Sequence, residues 1–454
     1  VSATPVESGG GAPLTALDRA RRKAYARIVP FVFVCYAIAY IDRANVAFAK
    51  LTMSKDLGFD EDIFGTGYGL FFLGYFLLEV PGAILVERWS ARKMISRIMI
   101  TWGIVVALTS LVKTPGQFYG VRFLLGIAEA GFFPGAIVYL THWFPARDRA
   151  RALALLATAT PVAQMVNMLV SAPILRIGTT ETVNHVTVTT PPMFGMHGWQ
   201  LMFIFWAIPA VLLGFFVLFK LTDRPAQARW LTPDEKEALE TELERERSAA
   251  GVVRHLSVVQ FLTNPAILLL ALTNFLITSA HYGIEAFQPT ILKNWFDLSI
   301  SNVVLAALPS FVAILVGLLA VSWSSDRRNE RWFHTCVPMF WGAGVLLLTM
   351  LARTNMVLTI VLFALAVLGV RSYLAPFYAL PRLFLAGPAA AGGIGFINAI
   401  ANLGGFVGPK TFGKLAKATG GSYVPGFIYL VATTAAAGLC IVVLRVYYTR
   451  RRAT

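Results

Sequence analysis

Apolar runs of about twenty residues recur along the whole chain, each ended by a polar or charged connection. At about 1.5 Å per helical residue, such runs match a hydrocarbon core about 30 Å thick. They predict twelve membrane-spanning helices: 27–47, 63–86, 94–112, 117–143, 150–174 and 199–221, then 263–287, 301–323, 333–352, 355–380, 391–415 and 423–446. The expected fold is therefore an all-α membrane protein in two six-helix sets. A tail, 1–26, precedes a bundle at 27–221; a polar linker, 222–262, precedes a second bundle at 263–446; a basic tail, 447–454, follows. In the linker, "TPDEKEALETELERER" predicts a charged surface helix, with Thr232 as N-cap, Pro233 at its first position and Glu235 placed for a capping box. It reads as a soluble tether between the bundles, with binding of a regulator as the alternative.

Composition and charge sharpen this pattern. Of 454 residues, 57% are hydrophobic and 14% charged, against about 25% charged in soluble domains. The net charge of +15 does not imply nucleic acid, because no aromatic-interleaved basic domain gathers it; it suits an anionic lipid surface. With the N-terminus inside, inner connections and tails hold 27 of the 39 Lys and Arg, and outer connections hold nine. The positive-inside rule then puts both termini in the cytoplasm. A basic stretch before an apolar run also describes a secretory signal, but this run is long and carries Asp42 and Arg43, so an uncleaved first span is expected. Cys35, Cys336 and Cys440 lie in or beside apolar runs and read as packing residues.

The spans hold an unusual set of charges: Asp42 and Arg43 in the first, Glu79 in the second, Arg122 and Glu129 in the fourth, Arg371 in the tenth. A charge at the bilayer centre costs about 2.5–3.5 kcal/mol on insertion scales, so such groups line a cavity or pair with one another. Asp42 lies roughly 22 Å from the inner end of its span and Arg122 roughly 8 Å from the outer end of its own, which puts them at one level. Glu129 is two turns beyond Arg122 on nearly the same face, and Gly126 between them is expected to leave that face open. Two guanidiniums at one depth make a receptor for a carboxylate, and Asp42 and Glu129 become candidate proton carriers. The alternative is a set of fixed interhelical salt bridges. Tyr36 and Tyr40 share a face with Arg43; Tyr75, Gln164, Asn398 and Asn402 lie deep in spans two, five and eleven, where interhelical hydrogen bonding is the alternative. Glu79, before Pro81 near an inner end, reads as structural.

"YIDRANVAFA", "GYFLLEVPGAILVERWSARK", "RFLLGIAEAGFFPGAIVYLTHWFPARDRARA", "FYALP" and "GFINAIANLGGFVGP" resemble the anion:cation symporter family of the major facilitator superfamily. That family includes bacterial carriers of sugar acids, tartrate and phthalate. The resemblance runs over about 27–446. It implies two six-helix halves around a central cavity, with substrate contacts on Tyr40, Arg43, Tyr75, Arg122, Gln164, Asn398 and Asn402 and proton coupling on Asp42 and Glu129. It implies no cofactor. Departures stand at "WSARK", where the superfamily's gating loop carries Gly and Arg, and at Glu285, Arg371 and Lys410, where neutral or aromatic residues are expected. Rise puts Glu285 and Lys410 near outer ends, where snorkelling to lipid headgroups is expected, with a gate salt bridge or an extra cation as alternatives. Arg371, roughly 24 Å down its span, is the better candidate for a substrate contact.

The expected function is proton-coupled import of a small organic anion across a bacterial inner membrane by a monomeric carrier. Anion exchange, sodium coupling and a nontransporting receptor are the alternatives. The chemistry of an enzyme or ATP pump is not present: six scattered histidines form no HExxH, and "GPKTFGKL" puts Leu415 where a phosphate loop needs a hydroxyl. Tyr and Asn side chains suit the hydroxyls of a sugar acid or hydroxy-dicarboxylate; the many Phe residues suit an aromatic acid equally well.

Overall fold

The computed structural model describes residues 14–88, 90–183, 186–249, 263–385 and 388–453. Expectations for the first part of the N-terminal tail (1–13), for Trp89 of the "WSARK" loop and for 250–262 of the linker lie outside the described residues.

The spans form helices in the expected order. They are α1 (Ala16–Leu57), α2 (Glu61–Arg88), α3 (Ala91–Thr109), α4 with α5 (Pro115–Glu129, Phe132–Thr141), α6 (Ala146–Leu175) and α7 (Gly198–Lys220). After the linker helix α8 (Pro233–Ala249) come α9 (Pro265–Phe296), α10 (Ile300–Arg328), α11 (Trp332–Leu351), α12 with α13 (Met356–Ser372, Leu374–Ala379), α14 (Pro388–Ala418) and α15 (Val424–Ala453). Spans four and ten are each broken, and they hold equivalent places in the two halves. Packing repeats with the same offset. In the first half spans one and five, two and four, and three and six pair; in the second, spans seven and eleven, eight and ten, and nine and twelve. The halves meet where α2 lies on α14, α1 on α9 and α6 on α10.

Among the described residues, nine helices are long and apolar enough to cross a membrane; α2, α3 and α14 are not among them. α3 begins with Arg92, Lys93 and Arg97, and α2 and α14 are rich in glycine, which adds little hydropathy. The glycines instead let those two backbones touch: a Cβ on Gly65 would strike the Pro409 carbonyl, and one on Gly413 the Glu61 carbonyl. The apolar surface is turned outward elsewhere. On α7, Phe205, Ile208, Leu212, Phe215 and Phe219 form one exposed stripe, with Phe219 82% exposed, which in lipid is the stable arrangement.

Two features were not expected. The connection between α6 and α7 folds as an antiparallel hairpin, β1 (Thr180–Val183) with β2 (Val186–Thr189); the Val/Thr alternation of "VTVTT" was its signal. The basic stretch of the tail is helical, and α1 starts at Ala16, capped by the Thr15 side chain on the Asp18 amide.

That extension holds α8. Asp234 pairs with Arg19 at 2.9 Å, and both Glu235 oxygens accept from Lys23 at 2.8 Å. Arg27 covers the Trp230 ring, which stacks on Trp143 at 5.2 Å, and Glu246 accepts the Ala146 amide. Half of the expected capping box forms: the Thr232 amide donates to Glu235, while the Thr232 hydroxyl bonds Asp234. The linker helix is thus fastened to the first half, a stronger attachment than the free tether its composition suggested. The Lys23 ammonium holds the buried Glu235 carboxyl below its ordinary value. A depressed carboxylate contributes above its unfolded value and loses that contribution as pH falls through its folded value. Docking is therefore expected to hold at neutral pH and to loosen in acid below the ordinary glutamate range. Nitroxide labels at Glu237 and Ala150, both exposed, are expected to report a longer distance there, and Glu235→Ala to give that distance at neutral pH.

Candidate functional site

The centre of the first half is built on α1, α2 and α4. Arg43 pairs with Glu129. Its guanidinium lies 4.9 Å from the Phe71 ring, 5.1 Å from Tyr75, 5.8 Å from Tyr40 and 5.9 Å from Phe72. Arg122 is 1% exposed, 5.2 Å from Phe71 and 5.8 Å from Tyr68, with Nε donating to the Gly67 carbonyl at 3.4 Å. Aromatic faces attract both cations, yet Arg43 Nε and Arg122 Nη2 have no hydrogen-bond partner among the described residues. Of the two guanidiniums only Arg43 holds a carboxylate, which leaves positive charge and buried donors for an anion.

The break between α4 and α5 fixes Glu129. It is the last residue of α4; Ala130 is extended, and Gly131 turns at φ +89°, a conformation open to glycine at little cost. Gly126, expected to leave its face open, does the reverse. A Cβ there would strike the Phe71 carbonyl and come within 2.8 Å of the Tyr75 amide, so the α2 backbone fills that face. The close crossing is what seats Phe71 and Tyr75 against the arginines.

Asp42 is not brought to this group. It is 1% exposed, accepting from Trp102 Nε1 of α3 at 2.9 Å and from Asn45 Nδ2 at 3.3 Å. Equal depth placed it beside Arg122, but adjacent helical residues differ by about 100° in direction, and Asp42 points into its own bundle.

The second half approaches from α9, α12, α13 and α14. Asn398 and Asn402 both donate to Glu79, at 2.8 and 2.7 Å. Asn398 accepts from Tyr378, which accepts from Asn274, which in turn accepts from Tyr373. Glu79, read as structural, is thus the first-half anchor of a hydrogen-bonded chain that crosses to the second half. Glu285 is not at a headgroup. Its side chain, 6% exposed, lies between the halves, accepting from Tyr68 at 2.9 Å and Tyr40 at 3.3 Å, with His281 Nε2 at 3.2 Å. Arg371 is half-buried, within electrostatic reach of Tyr40, Tyr282 and Glu285. Lys410 is exposed, its ammonium 4.9 Å from the Phe406 ring. Gln164 faces a cavity of about 20 Å³ shared with His281, Glu285, Gln288 and Ser310, room for about one water.

The end carrying residues 50–62, outer in the orientation that the charge bias predicts, is closed. Lys50 pairs with Glu61 and lies 3.8 Å from the Phe287 ring. Tyr423 donates to Glu61 at 3.2 Å, and Lys417 reaches Asp60 at 2.9 Å and Asp62 at 3.8 Å. The Lys50–Phe287, Tyr423–Glu61 and Lys417–Asp60 and Lys417–Asp62 contacts join the two halves, and the Lys50–Glu61 pair ties α1 to α2 within the first.

Two repeated bundles of six spans, closed at one end over embedded charges, define a membrane transporter. The chain matches the Major Facilitator Superfamily over residues 32–409 and belongs to that family. It is 39% identical over 428 residues to "Putative tartrate transporter" of Agrobacterium vitis, covering 94% of each chain. It is 37% identical over 407 residues to "Putative metabolite transport protein NicT" of Pseudomonas putida, covering 89% of each. The fold is that of a bacterial homologue of the human lysosomal transporter Spinster, solved inward-facing and occupied: TM-score 0.71, 16% identity, 95% of this chain and 97% of that one.

Proposed function

We propose that the protein imports a small organic anion by proton symport across a bacterial inner membrane, with both termini in the cytoplasm and the halves 27–221 and 263–446 rocking about the central site. One observation carries this reading: Glu129 occupies a guanidinium, Arg43, beside a second, Arg122, that lacks a full set of partners. A substrate carboxylate and ionised Glu129 compete for Arg43. Protonating Glu129 frees the guanidinium, so the anion and the proton bind together and leave together. Tyr40, Tyr75 and Gln164 then serve the rest of the substrate, and Asn398 and Asn402 meet it once released from Glu79. Asp42, held by Trp102, sets the position of Arg43 on α1, and Glu129 carries the proton. A sugar acid or hydroxy-dicarboxylate suits the hydroxyl and amide groups, and the similarity to a protein named for tartrate supports that class.

The test is uptake into proteoliposomes from a panel of organic acids that includes tartrate, with the pH gradient imposed or dissipated at constant sodium. Import driven by the pH gradient is expected. Glu129→Gln is expected to lose accumulation against a gradient while keeping exchange of labelled for unlabelled anion. Undiminished accumulation by that variant would remove Glu129 from the coupling step; import that follows sodium or a counter-anion would replace proton symport.

A further inference from the structure

We propose that Glu285 is a second proton-binding site, carried by the second half, that latches the outer end of the two halves through Tyr40 and Tyr68 when ionised and releases it when protonated. The family pattern expects no acid at this position, and the mechanism above does not use it.

Glu285 is an acceptor whose hydroxyl donors lie across the boundary between the halves, while its own half supplies His281 Nε2 at 3.2 Å. Both phenol bonds to Glu285 come from the opposite half, from α1 and α2. Those tyrosines are also the ones whose rings flank Arg43 and Arg122. The charged and titratable groups that face Glu285 are Tyr40, Tyr68, His281 and Tyr282 of α9, and Arg371 of α12. Other elements packed on α9 direct such groups elsewhere: Tyr429 of α15 bonds Ser279, and Lys410 of α14 lies over Phe406. Two O–H donors fit a carboxylate, which only accepts; a carboxylic acid brings its own O–H and cannot take both bonds equally. Parting the halves removes both phenols and exposes the group to water.

The cycle follows. With the outer end open, Glu285 takes a proton from outside water, an O–H bond forms, and the carboxylate charge is lost. Closure brings Tyr40 and Tyr68 back. The acid's O–H bond breaks, the proton passes to His281 Nε2, 3.2 Å away, and from there to water, and the carboxylate accepts both phenols. The halves therefore close fully only when this proton leaves. The inference rests on the transport reading only for the direction in which the proton moves, and its test uses no transported anion.

The experiment uses the full chain in lipid nanodiscs with nitroxide labels at Lys55 and Ser422, exposed residues at the outer end. Falling pH is expected to shift the wild-type distances from a short to a long population. Glu285→Gln is expected to show the long population at neutral pH and to lose most of that shift; Tyr40→Phe with Tyr68→Phe is expected to do the same from the opposite half. Both keep the Lys417–Asp60 pair, whose own weakening in acid is thereby common to every sample. pH-difference infrared spectra are expected to show a carboxylic-acid C=O band that Glu129→Gln retains and Glu285→Gln lacks. A wild-type distance profile in Glu285→Gln, or a C=O band unchanged by that substitution, overturns the proposal. Failure of the Glu129 variant in uptake leaves it standing.

Discussion

Arg43→Gln is expected to abolish anion transport and to lower the melting temperature of the purified protein, and adding Glu129→Gln is expected to restore the second property without the first. Removing one partner of a buried pair leaves an uncompensated charge, at a cost of about 3–5 kcal/mol. Here the orphan is Glu129, 3% exposed at the end of α4, with the α2 backbone packed close by and little water to solvate it. Neutralising Glu129 as well removes that cost, and two amides can hydrogen-bond to each other in the vacated geometry.

Transport is not expected to return, because in the proposed mechanism the guanidinium itself is the receptor. Its place among Phe71, Tyr75, Tyr40 and Phe72 suits a delocalised planar cation, which stacks and presents a fork to a carboxylate; an amide does neither. Losing one charge-assisted, largely desolvated contact is expected to weaken anion binding by about 100-fold or more, at about 1.4 kcal/mol per tenfold. Uptake and thermal unfolding of the three variants separate the readings. A double variant that regains transport along with stability would make Arg43–Glu129 a structural bridge. Arg43→Lys tests the fork alone: it keeps a charge for Glu129 and is expected to stay folded while transporting poorly.

The sequence made depth legible and direction illegible. Hydropathy located a helix at every expected span, because a backbone in lipid satisfies itself by helix formation wherever the side chains permit, while α1 runs from Ala16 to Leu57 and α9 to Phe296, well past the expected 27–47 and 263–287. Embedded charges were visible for a similar reason: each is costly, Arg43 and Glu129 do pair, and Arg122 shares the Phe71 ring with Arg43. Asp42 shows the limit. It is adjacent to Arg43, yet its partner is an indole 60 residues away on α3. Glu285 was placed near the end of its span, but α9 continues to Phe296, and the side chain turns between the halves rather than snorkelling, because tyrosines more than 200 residues away supply its hydrogen bonds. Glu79 and Asn402 are 323 residues apart; no local pattern joins them. His281 and Glu285, one turn apart on α9, were the readable hint that one helical face carried more than a single stray acid. The helical start of α1 also depended on distance, since its basic residues find Asp148, Asp234 and Glu235 only after folding.

Gly126→Ala is expected to be the most damaging single-carbon change in the first half, lowering the melting temperature and transport together. The new Cβ meets the Phe71 carbonyl oxygen at an impossible distance, with the Tyr75 amide nitrogen at 2.8 Å and the Phe71 carbonyl carbon at 2.9 Å. All three are backbone atoms inside a helix, so no side-chain rotation relieves the clash, and α2 and α4 must separate. Overpacking of this kind costs about 1–3 kcal/mol and occasionally more. The functional loss is expected to exceed what that figure suggests. α2 carries Phe71 and Tyr75, α4 carries Arg122 and Glu129, and separating the helices pulls the aromatic faces from the guanidiniums while opening the Arg43–Glu129 pair. Gly120→Ala, about 1.7 turns earlier on α4, is the matched control. It has nothing within 4 Å of its added carbon and replaces a poor helix former with a good one, worth about 0.5–1 kcal/mol in favour of the helix. Thermal unfolding and uptake of the two variants side by side check the argument: a Gly126→Ala protein as stable and active as Gly120→Ala would mean that the α2–α4 crossing does not hold the site together.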